Sequence, residues 1–345
     1  RPRGGDGTAR FYASRAGTVE EGSAADAGRS YVAFGPTIPL PDVVGWNDDG
    51  SLCCICLGAR IYVYTVDPPH FTLASTTRLE NEDGSRALSA KFLHNVLYVG
   101  SRNSVQCILL SNGGYTDNYT VVGRPAADDP GTCPLSPRPA PLALCSPTIL
   151  GLYHGSLLVS AASGVQSVRL DHPILRMGAL YAAGHPARAF RWTETFGACL
   201  HDDLARFIER RGYPAEACKL PGISMEVLVD VCIRNRMVEP LESAVELHGL
   251  SAIRAVPVGG SGHSAVECVG AFFVSQGRME LTRRLVSECI VSGDGGRREA
   301  FTLASLMHSL NPNDAKRLIK RAIGPKNRPS NDDWPVGKYV RNKLL

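Results

Sequence analysis

Long apolar runs are missing from this sequence. No stretch approaches the roughly 20 uninterrupted apolar residues that a membrane-crossing helix needs, so no helical span is expected. An initiating Met and an apolar leader are also missing: the chain starts at Arg1 and reads as a piece of a longer protein. Cysteine is too sparse and too scattered for a disulfide scaffold; there are 11, an odd number, in 345 residues. Cys53, Cys54 and Cys56 cluster, but no second pair stands at zinc-like spacing. The cysteines therefore read as reduced thiols filling core positions of a cytosolic protein. Charged residues at 20% and hydrophobic residues at 44% exclude collagen, wholesale disorder and a coiled-coil rod.

Reactive constellations are scarce as well. Gly259-Gly260-Ser261-Gly262-His263 lacks the spacing of a nucleophile elbow and the lysine of a phosphate-binding loop. It reads as a loop between helices. His201-Asp202-Asp203 could ligate a metal, but acidic residues at a helix start complement the positive end of its dipole. Along a strand, Cys54 and Cys56 share one face and Cys53 takes the other, so the three thiols do not converge. No catalytic residue, cofactor site or metal site is expected, and the chain reads as a non-enzyme.

Glycine (35) and proline (23) are in excess, and they punctuate the chain unevenly. Residues 1–30 have little to bury and read as a flexible linker. From residue 31 to about 171, short β-branched and aromatic runs alternate with tight turns. Strands are expected at 43–46, 51–57, 61–66, 87–92, 96–101, 104–110, 148–153, 156–161 and 164–170. Their near-continuous apolar character suits strands covered on both faces. The Pro-, Asp- and Gly-rich segment 113–146 reads as a disordered surface insertion, unable to supply central strands. It holds the sequon Asn118-Tyr119-Thr120, which a cytosolic chain would not use.

Beyond about residue 172 the apolar period changes from two to about 3.6. Leu200, Leu204, Phe207 and Ile208 form one stripe, and Met225, Leu228, Val229, Cys232 and Ile233 form another. Further stripes run through Leu241 to Leu247, Val266 to Phe273, Leu281 to Cys289 and residues 300–310. Asn311-Pro312 opens a last helix, stopped by Gly324-Pro325. Short amphipathic helices with tight connections are expected to stack as hairpins, in an irregular α-solenoid over 172–324.

Charge is distributed asymmetrically. Residues 1–170 carry 13 basic against 14 acidic side chains, whereas residues 316–345 carry nine against two. Lys316, Arg317, Lys320, Arg321, Lys326 and Arg328 are candidate contacts for an anionic partner. The first four also make a solvated face opposite Leu318, Ile319 and Ala322. Residues 325–345 continue as a basic tail with Trp334 and Tyr339 interleaved, which would also suit nucleic acid. An anionic membrane surface or an acidic protein fits a scaffold better.

Residues 204–217, Leu-Ala-Arg-Phe-Ile-Glu-Arg-Arg-Gly-Tyr-Pro-Ala-Glu-Ala, resemble the propeller-to-solenoid junction of the coatomer α and β′ subunits. There a helix ends in a basic-Gly-aromatic turn, here Arg211-Gly212-Tyr213, and Pro-x-x-Ala opens its partner, here Pro214 to Ala217. Met225 to Cys232 keeps the apolar pattern of the family's next helix without its Arg-Phe, and residues 235–244 resemble the following hairpin. The strand half carries no Trp-Asp dipeptide. The resemblance implies the last blades of a WD-repeat-like β-propeller over 31–171, followed by an α-solenoid. It implies a vesicle-coat scaffold in Golgi–ER type transport, cytoplasmic and peripheral on Golgi or vesicle membranes. Other coat subunits would be its partners and no small molecule its substrate. The alternatives are an intraflagellar or ciliary scaffold and, from another class, a nucleic-acid- or ribosome-binding regulator using the basic tail.

Overall fold

The computed structural model describes residues 8–15, 30–79, 86–111, 114, 116–123, 135–137, 146–256, 264–292, 294–308 and 310–323. Strands come first. β1 (Thr8–Arg15) and β2 (Ser30–Pro39) pair antiparallel. A second sheet orders β3 (Val43–Trp46), β4 (Leu52–Leu57), β5 (Arg60–Asp67) and β6 (His70–Arg78) consecutively. A third orders β7 (Ser89–Leu93), β8 (Val96–Gly100), β9 (Val105–Leu110) and β10 (Thr116–Val122). The fourth holds β11 (Thr148–Tyr153), β12 (Ser156–Ala161) and β13 (Gly164–Arg169).

Local turn chemistry sets these hairpins. His94 and Asn95 both take positive φ between β7 and β8, as do His154 and Gly155 between β11 and β12. Two left-handed residues in succession match the twist of the strands they join. Between β3 and β4, Asn47 Oδ1 accepts from Leu52 N at 2.8 Å and Asp49 Oδ1 accepts from Ser51 N at 2.8 Å. These side chains replace ladder bonds that the turn cannot make.

β4 is buried on both faces. Cys54 and Cys56 join Ile61, Val63, Phe92, Leu97 and Ile108 in one core. Cys53 and Ile55 join Ile38 and Val66 in another, covered by Phe11, Phe34 and Phe71. The Phe11 and Phe71 rings stack at 4.8 Å. Both faces therefore carry apolar side chains, as the continuous run Leu-Cys-Cys-Ile-Cys-Leu requires.

Helices follow. α1 (Pro173–Ala182) starts where His172 Nδ1 accepts from Ile174 N at 3.2 Å; burial holds that imidazole below its ordinary pKa and so favours the accepting, neutral form. α2 (Pro186–Phe190) leads through two short 3₁₀ turns to α3 (His201–Arg210) and α4 (Pro214–Ala217). Then come α5 (Met225–Arg234), α6 (Val238–Arg254), α7 (Ala265–Ser275), α8 (Met279–Val291), α9 (Asp294–Met307) and α10 (Pro312–Ile323). Compactness divides the chain inside α3. One unit runs through residue 203 and regains 210–213; the other holds 204–209 and the chain from 214 on.

The expected architecture of partial β-propeller blades followed by an α-solenoid is overturned. The strands make separate antiparallel sheets of two to four strands, and no closed barrel or propeller forms among the described residues. β3 lies beside β7 and β7 beside β11. Tight strand spacing dictates each small sheet but carries no term that closes the set. The helices from α5 to α10 bury their stripes in one continuous core, Leu228 to Ala322, with α7 meeting both α8 and α9 and α10 meeting both α8 and α9. A row of stacked hairpins is not what this core shows. The order of strands before helices stands, and the change falls between Arg169 and Pro173.

Two smaller expectations need correction. The expected linker 1–30 contains β1, because Arg10 and Phe11 belong to an eight-residue strand paired with β2. The expected insertion 113–146 contains β10, an edge strand paired with β9; the segment's prolines all follow it. Asn118 lies in that strand with its amide donating to Arg78 O and Gln106 Oε1. Within α6 the backbone leaves helical geometry at Gly249, φ 69° and ψ −178°, so two helical stretches meet there across a kink. No helix among the described residues is long and apolar enough to cross a membrane.

Candidate functional site

α10 is amphipathic. Ala315, Leu318, Ile319 and Ala322 recur at helical spacing and are buried in the shared helical core. Lys316, Arg317, Lys320 and Arg321 project on the opposite side and are exposed. The helix start is secured by Asn311, whose Oδ1 accepts from Asp314 N at 3.2 Å and whose Nδ2 donates to Asp314 Oδ2 at 2.9 Å. Asp314 in turn accepts from Arg283 of α8, and from Arg317 at 2.6 Å. Burial pushes the Asp314 carboxyl up, but hydrogen bonds and charge from Arg283 and Arg317 outweigh it and hold the group below its ordinary value.

The basic row is thus unequal. Arg317 is tied to a carboxylate three residues earlier, a pairing legible in the spacing Asp-x-x-Arg. Lys316, Lys320 and Arg321 extend from the same face. Lys320 and Arg321 also sit in the last turn, where cations complement the negative end of the helix dipole. Lys326 and Arg328, with the rest of the basic tail, lie outside the described residues. What sequence reasoning missed is the support beneath the row: Arg283 lies on another helix, and no local spacing announces its pairing with Asp314.

The remaining polar clusters pair within the fold. Glu209, nearly buried, accepts from Arg234 at 3.0 Å and from Asn235 at 2.7 Å. Arg254 donates to Glu299 at 2.7 Å, and Cys289 Sγ lies 3.7 Å from the same carboxylate. Burial, then the Glu299 charge, pushes that thiol up to about 12. Burial, with the neighbouring Cys54, likewise pushes Cys53 up to about 12; a hydrogen bond with Cys54, then burial, raises Cys56. Thiols held protonated are poor nucleophiles and poor metal ligands.

Cys54 and Cys56 face one core and Cys53 the other, as their alternation along β4 demands. No group of three or more His, Cys, Asp or Glu is placed to hold a metal among the described residues. His201 is buried at the start of α3, with Asp202 and Asp203 in its first turn. The 259–263 segment lies outside the described residues. Comparison with protein-family models and with curated proteins gives no match to this chain.

Proposed function

We propose that this chain is a non-catalytic scaffold subunit of a vesicle coat, working in the cytoplasm at Golgi or vesicle membranes, and that it meets an anionic membrane surface through α10. One observation carries the reading. Lys316, Lys320 and Arg321 stand exposed in successive turns of a helix whose other face is fixed in a core. Cations held on a rigid support bind a charged surface without ordering a flexible segment first. The vesicle-coat part rests on the resemblance of residues 204–217.

A lipid surface suits the row better than nucleic acid does. Binding of single strands relies on aromatic side chains on which bases stack. The exposed face of α10 offers Lys and Arg with no aromatic among them. Each basic side chain near an anionic leaflet contributes about 1 kcal/mol.

The test is co-sedimentation with phosphatidylserine-rich vesicles, neutral phosphatidylcholine vesicles and RNA, at low and physiological salt. Retention on the anionic vesicles alone is expected. Replacing Lys316, Lys320 and Arg321 together by Ala should weaken it roughly a hundredfold, from about 1 kcal/mol for each charge. Retention on RNA instead would hand the row to the nucleic-acid reading. Retention on neither would remove its function altogether.

A further inference from the structure

Thiols are spread through both compact units, and their surroundings differ. Among the described residues Cys53, Cys54, Cys56, Cys107, Cys232 and Cys289 are buried, Cys218 and Cys268 are half-buried, and Cys199 is exposed. Cys199 is a lone group at the surface. The thiols of β4 are sealed from any reagent. Cys218 and Cys232 differ from all of these.

Cys218 follows α4, with its N–H donating to Pro214 O at 3.1 Å, and Cys232 sits in the last turn of α5. Their sulfurs lie 3.7 Å apart. Both belong to the helical unit, and fourteen positions separate them along the chain. A disulfide holds its sulfurs at about 2.0 Å, so the two thiols are in contact and unbonded. Cys218 is half-buried and the more exposed of the two, whereas Cys232 is buried.

We infer that Cys218 and Cys232 form a redox modification site that a low-molecular-weight disulfide such as glutathione disulfide converts into an internal Cys218–Cys232 bond. The order of events follows from access. The Cys218 thiolate attacks one sulfur of glutathione disulfide, breaking its S–S bond; a Cys218–glutathione mixed disulfide forms and one glutathione leaves, taking the proton that Cys218 gave up. Cys232 then loses its proton and attacks Cys218 Sγ. The mixed disulfide breaks, and the second glutathione leaves with that proton. Two protein thiols are oxidised and one glutathione disulfide is reduced to two thiols.

Electrostatics supports the same division of labour. The hydrogen-bond contact with Cys232 lowers the Cys218 thiol, against burial and the Glu209 charge. That same bond, then burial, raises Cys232. The accessible sulfur is therefore the one favoured as thiolate, which is the attacking form. The product would staple the connection between α4 and α5.

The experiment incubates the intact chain in glutathione buffers of rising oxidised fraction, blocks remaining thiols by alkylation, and maps linkages by peptide mass spectrometry. An internal Cys218–Cys232 linkage, reversed by dithiothreitol, is expected before Cys53, Cys54 or Cys56 reacts. In Cys232→Ala the glutathione adduct should persist on Cys218. In Cys218→Ser, a milder change at a half-buried position, Cys232 should stay unmodified. Two results would overturn the site: both thiols remaining open to alkylation in unfolding buffer after oxidation, or a parent protein in which Cys218 keeps its glutathione.

Discussion

Arg211 and Arg283 each donate to an aspartate, Asp117 and Asp314, yet their guanidinium pKa values move in opposite directions. Arg211 lies in the strand-bearing unit with its side chain 3% exposed. There burial drives the pKa down and outweighs the Asp117 charge. Arg283 lies in the helical unit with its side chain 32% exposed. There hydrogen bonds to Glu280 and then Asp314 push the pKa up. The attraction is of the same kind in both pairs; loss of water sets the sign. Arg211 also donates to Leu110 O and to Ser111 Oγ, so its charge is held by the end of β9 and by β10 together. A sealed pair of this kind fixes position. A pair whose guanidinium is more exposed is screened by water and contributes less.

The comparison can be broken most violently by burying a charge with no partner at all. Phe207 is among the largest fully buried side chains. Phe207→Asp loses its packing and leaves a carboxylate in an apolar site, costing at least about 4 kcal/mol. Thermal and urea unfolding should show the helical unit lost or melted at ambient temperature, and a melt unchanged from the parent would contradict the buried stripe.

Arg211→Met comes next. It strands Asp117 with only Arg210, 3.0 Å away and half-exposed, and should cost about 3 kcal/mol. Removing both charges with Arg211→Met and Asp117→Leu should return most of that loss, since no buried charge remains unpaired. A urea midpoint for the single variant no lower than that of a surface substitution would show that the pair fixes nothing.

How far these arrangements could be read from the chain depends on range. Strands such as β4 and β8, and the stripe of α10, announce themselves through apolar period, and the turns at His94-Asn95 and His154-Gly155 through local chemistry. β6 escaped because His-Phe-Thr-Leu-Ala-Ser-Thr-Thr-Arg is largely exposed and barely alternates. β10 escaped because an edge strand needs little apolar content and its neighbours are rich in proline and glycine. The expectation of a propeller rests on a junction motif at 204–217, and a local motif cannot dictate how separate sheets associate. The basic row itself was legible at spacings of one and four. Its anchor was not, because Arg283 and Asp314 are 31 positions apart. The Cys218–Cys232 contact was hidden in the same way: each cysteine reads alone as a core filler, and only folding sets one against the other.

Arg283→Met sharpens the comparison from its weak side. Asp314 would not be orphaned, because Arg317 remains at 2.6 Å and Asn311 Nδ2 at 2.9 Å. Water already screens the guanidinium, and the methionine keeps the apolar stem packed. The expected change in urea midpoint is therefore far below that of Arg211→Met. It should shrink further in about 1 M salt, where charges are screened within about 3 Å, while the Arg211→Met loss persists. The two substitutions delete the same side chain opposite the same kind of partner, so salt response separates exposure from pairing strength. Equal losses at both salts would mean that solvent access is not what distinguishes the two units' ion pairs.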